Sequence, residues 1–96
     1  MTSMVYYGSP RQARLVASET LPAKLDLILD KLHLRERVKD EVVALKVHTG
    51  CNISYSVIHP VFIRKVVRAI KDGGGKPFLV DLDWVVNDAE SRGYTP

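Results

Sequence analysis

A chain of 96 residues with 46% hydrophobic and 26% charged content has enough apolar material to offset chain entropy, which excludes a disordered protein and fits one small domain. No apolar run approaches the ~20 residues of a membrane-spanning helix, and Met1–Met4 do not open the basic-then-apolar segment of a secretory leader. The net charge of +3 is spread along the chain, without the basic patch of a nucleic-acid binder, and the single cysteine, Cys51, excludes an internal disulfide and points to a cytoplasmic protein.

Met4-Val5-Tyr6-Tyr7 is rich in strand formers and is closed by the turn residues Gly8-Ser9-Pro10, which predicts a first strand. Ser18 and Thr20 offer N-cap oxygens, and Pro22 suits a first helical turn. Leu21, Leu25, Ile28, Leu29 and Leu32 then recur at helical spacing, predicting a helix that ends near His33. Val42 to Val47 is almost continuously apolar. A run without alternation suggests a strand covered on both faces, as in parallel sheets. Pro60 opens a second helix, striped by Phe62, Ile63, Val66, Val67 and Ile70, and Gly73-Gly74-Gly75 ends it. Pro77 to Val80 reads as a third strand, and Trp84 to Arg92 as a last short helix that Gly93 stops.

The order is β-α-β-α-β-α. Strands alternating with helices imply an α/β fold, here a small three-layer arrangement around a mostly parallel three-stranded sheet. Three helices cover such a sheet thinly, and the pattern calls for a fourth strand where the sequence stops. The chain is therefore expected to be the N-terminal part of a longer doubly wound protein, or to complete its sheet with a second copy or another partner.

Ligands of open parallel sheets gather at the carboxyl ends of the strands. Two segments qualify: Lys46 to Asn52 after the second strand, and Asp81-Leu82-Asp83 after the third. A lysine inside an apolar strand needs a carboxylate or a ligand anion beside it. Asp81 is the expected carboxylate, and three readings follow: a structural Lys46–Asp81 pair, a lysine near the strand end reaching out to water, or an anion-binding or catalytic lysine. His59 stands at the N-cap of the second helix, whose first N–H groups attract anions; the alternative is that it caps the helix and nothing more. Lys46, His48, Gly50, His59 and Asp81 are the candidate ligand-binding residues. His48 and Cys51 form only half of a zinc pair, so no metal site is expected from them, and nothing marks Cys51 as a nucleophile. Asp81 and Asp83 have the chemistry for Mg²⁺, although Asp83 suits a helix cap better. Gly73-Gly74-Gly75-Lys76 follows a helix and opens a strand, the reverse of a phosphate loop.

Leu45 to Gly50, Ile58-His59-Pro60, and Val66 to Asp81 with its glycine-rich turn, in this order and spacing, resemble the front half of the domain of unknown function 362 family. The final Ala89 to Pro96 is similar to its continuation. Lys46, His59, Pro60 and Asp81 match the family pattern; Ile58 departs from it, where the family often has threonine. The resemblance implies a prokaryotic protein associated with iron–sulfur redox chemistry and, as a partner, a ferredoxin-like module holding [4Fe-4S] clusters. One cysteine cannot supply the four ligands of such a cluster, so none is expected on this chain alone. Three functions remain open: a ligand-binding domain of such a protein; an enzyme acting on a phosphorylated or carboxylate substrate through Lys46, His48 and Asp81; and an interaction module that completes its sheet with a partner.

Overall fold

The computed structural model describes residues 2–50, 56–91 and 93, and of Asp83 the backbone alone. Thr20 begins the first helix. Its backbone is extended and its hydroxyl accepts the Ala23 N–H at 3.4 Å, with Pro22 in the first turn, giving α1 over Leu21–Lys31. His33 takes a left-handed conformation at φ 54°, which stops α1 and starts a separate short helix, α2, over Leu34–Arg37. The strand β1 spans Val42–Lys46, the helix α3 Pro60–Asp72, the strand β2 Lys76–Val80 and the helix α4 Asp83–Ser91.

The described residues hold one sheet of two parallel strands, with Val42 opposite Lys76 and Lys46 opposite Val80. The α3 crossover that joins them ends at Gly73, and Gly74 turns the chain at φ 87°. Gly75 then donates to the Ile70 carbonyl and Lys76 to the Glu41 carbonyl, which sets the register of β2 against β1. A methyl group at Gly73 would stand 2.4 Å from the Arg35 carbonyl oxygen, and one at Gly75 2.8 Å from Ile70 Cγ2. The glycines are therefore packed as well as turned.

Two expectations are corrected. Met4 to Tyr7 is no strand and pairs with neither β1 nor β2, so among the described residues the sheet has two strands, and neither a three-stranded sheet nor the order β-α-β-α-β-α is seen. The segment lies against α1 instead: Lys24 Nζ donates to the Ser9 and Arg11 carbonyls, Gly8 sits against Lys24 and Ile28, and the Lys31 ammonium is 5.8 Å from the Tyr6 ring centre. Strand propensity expresses fit to a neighbouring pleated surface, and this segment finds a helix as its neighbour. Second, β1 is not covered on both faces. Val43 and Leu45 are half-buried while Val42, Ala44 and Lys46 are exposed, because α3 packs on β2 and the main contacts of α1 and α2 are with α3 and with each other. The layers run sheet, α3, then α1 and α2, and the opposite side of the sheet carries exposed Val42 and Phe78. Leu29, Val38, Ala69, Ile70, Val85 and Ala89 form the buried core. No helix among the described residues is long and apolar enough to cross a membrane.

Candidate functional site

Parallel pairing sends the connections out of β1 and β2 from the same edge of the sheet. Lys46 closes β1 opposite Val80, and the Val47 N–H donates to the Val80 carbonyl at 3.1 Å. The next residue of the second strand's exit, Asp81, therefore arrives beside Lys46. Its Oδ1 accepts from Lys46 Nζ at 2.8 Å and from its neighbour's Leu82 N–H at 2.8 Å. Its Oδ2 accepts from the Thr49 N–H at 3.1 Å and lies 3.7 Å from His48 Nδ1. The Asp81 side chain is only 3% exposed, while those of Lys46 and His48 are 61% and 51% exposed.

The electrostatics follow from this geometry. The Lys46 hydrogen bond, joined by the Leu82 and Thr49 amides and the lysine's charge, outweighs burial and holds Asp81 at about 2, below the ordinary 3.8. A carboxylate so stabilised is a weak proton acceptor at neutral pH, which argues against a role as general base. It is an organiser. One carboxylate ties the end of β1, the segment after it and the start of α4 together. Lys46 gives a second bond to the Val47 carbonyl at 3.0 Å, which leaves one of its three N–H donors on a largely exposed head.

Of the residues singled out in the sequence, Lys46, His48 and Asp81 come together. Gly50 lies in the same segment, buried and at φ 82°, a conformation that suits glycine. His59 is occupied elsewhere: its Nδ1 accepts the Val61 N–H at 3.1 Å and its carbonyl accepts the Phe62 N–H at 3.0 Å. Pro60 has no N–H to offer. The first turn of α3 thus spends its donors on its own cap, and Ile58 at 49% exposure stands just before it. Cys51 and Asn52 lie outside the described residues, as does the Asp83 side chain. Among the described residues no three His, Cys, Asp or Glu side chains gather in a metal-holding group. The Thr49 and Leu82 backbone amides were not legible as partners of Asp81, because a side-chain inventory does not reveal which N–H groups a turn will aim inward.

No curated protein and no solved structure matches the chain. Residues 43–96, from β1 through α3, β2 and α4, match the model of the family described as Domain of unknown function (DUF362). That stretch holds Lys46, His48, Gly50, His59 and Asp81 and is more than half of the sequence, so the chain belongs to this family.

Proposed function

We propose that this chain is a ligand-binding domain that takes a small phosphate or carboxylate anion at the carboxyl-terminal rim of its sheet. The observation that supports it most is Lys46: its ammonium is oriented by Asp81 at 2.8 Å yet remains 61% exposed. A preset cation on an open rim loses little freedom on capturing an anion, and His48, 3.7 Å from Asp81 and half exposed, supplies a second donor. His59 stays outside this site, since its helix end is already capped. The family resemblance further supports a setting beside iron–sulfur redox modules. The single cysteine of this chain does not fit a [4Fe-4S] cluster, which takes four thiolates; any such cluster belongs to a separate module.

A panel of phosphate, acetate, citrate and sulfate tests the reading by thermal shift. At about a hundredfold excess over Kd, one bound anion adds about 2.7 kcal/mol to folding stability. Lys46→Met removes that gain. A wild-type chain that no anion stabilises overturns the proposal.

A second reading is favoured by the edges of the sheet, since among the described residues β1 and β2 are each paired on one side only: a partner chain would add a strand at one of these edges. Sedimentation distinguishes it, for a monomer at all concentrations removes self-association as the route.

A further inference from the structure

Three large apolar side chains stand exposed at the polar rim. Ile58, 49% exposed, ends the connection that leaves β1; Leu82 and Trp84, 58% and 59% exposed, follow Asp81 directly. Because β1 and β2 are parallel, both connections depart from one edge, and all three residues belong to the end of the sheet that carries Lys46, His48 and Asp81. Leu82 is fixed most tightly, since its own N–H is bound to the carboxylate oxygen that also holds the Lys46 ammonium. Trp84 lies in the first turn of α4, whose Val85 and Ala89 are buried at 1% and 5% exposure; the helix is seated by those two residues and leaves the indole in water. Isolated exposed hydrophobic residues are common. Here they accompany a cluster in which a carboxylate with a 3% exposed side chain presets a cation, and ligand sites combine a few convergent polar groups with a mainly apolar wall.

We infer that the anion taken at this rim carries a flat apolar body, as in an aryl phosphate or aryl carboxylate, with the charged group at Lys46 and His48 and the ring against Trp84 and Leu82. This rests on the anion site proposed above and names the class of ligand for it. An indole face holds a planar ring by offset stacking and adds affinity that a bare ion cannot gain.

Trp84 is the chain's only tryptophan, so its emission reports contact directly. The chain is titrated with phenyl phosphate and with inorganic phosphate, following fluorescence and, in parallel, calorimetry. Phenyl phosphate is expected to bind about tenfold more tightly, the gain of one aromatic stack, and to shift the Trp84 emission. Trp84→Ala brings the ratio of the two affinities close to one, and Trp84→Phe keeps most of the preference. Equal affinities in the wild type overturn the inference and leave the anion site standing. A preference that survives Trp84→Ala overturns the stacking role. Failure of both compounds to bind overturns the anion site and the inference together.

Discussion

Gly73→Ala isolates a steric demand at the junction that carries α3 into β2. The backbone there is ordinary, with φ −79°, so a side chain causes no conformational strain. The added Cβ would however stand 2.4 Å from the Arg35 carbonyl oxygen, 2.8 Å from Arg35 Cα and 2.8 Å from Val38 Cγ2. Carbon contacts are comfortable at about 3.5–4.0 Å, so α2 must retreat by roughly 1 Å. Overpacking of this kind costs about 1–3 kcal/mol, and the stiffer unfolded chain returns about 0.4–1 kcal/mol. The net loss is about 1–2 kcal/mol, or about 5–15 °C in Tm for a domain of this length. Gly74 offers the control. Its Cβ would meet nothing closer than 3.8 Å, but its φ is +87°, so Gly74→Ala costs about 1–2 kcal/mol through backbone conformation alone. Asparagine tolerates that region better than alanine. Thermal unfolding followed by circular dichroism should therefore rank Gly74→Asn above Gly74→Ala, and Gly73→Asn no better than Gly73→Ala. A Gly73→Ala chain as stable as the wild type refutes the packing of the turn against α2.

Two further outcomes follow from the core and the rim. Asp81, held at about 2 against an ordinary 3.8, contributes stability that is complete above the unfolded value and is lost as pH falls from there through the folded one; Asp81→Asn should flatten this acid limb of a denaturant midpoint-versus-pH curve, and an unchanged limb would assign it to other groups. Ile70 is fully buried, and Ile70→Ala should cost about 2–5 kcal/mol, read from urea midpoints; a loss below 1 kcal/mol, the size of an ordinary surface change, would place the core elsewhere.

What the sequence disclosed depended on whether the signal was local. Thr20 with Pro22, and His59 with Pro60, mark helix starts through their own backbone chemistry, and both helices begin there. The glycine-rich turn likewise stands where α3 gives way to β2. Met4 to Tyr7 misled because strand propensity does not name a partner, and Lys24 draws this segment onto α1 through the Ser9 and Arg11 carbonyls. The end of the first helix near His33 was legible and is observed, whereas the short α2 that follows went unseen, since four residues are too few to show a periodic stripe and the left-handed turn before them depends on tertiary fit. At the rim, the carboxyl ends of parallel strands and the need of a strand lysine for a carboxylate brought Lys46, His48 and Asp81 into view. The self-capping of His59 was open as one of two readings, because an N-cap histidine can serve its own helix or a ligand, and only the position of its ring decides.

Asp81 and its partners Lys46 and Thr49 are separated by 35 and 32 positions along the chain, and the α3 crossover must already be in place before they can meet. Closing so long a loop is slow, so the rim assembles together with the pairing of β1 and β2 and not before it. In a hydrogen-exchange experiment the Thr49 and Leu82 amides, moored to a single carboxylate, would open as one cooperative unit, giving this end of the sheet its own local melting event ahead of the interior.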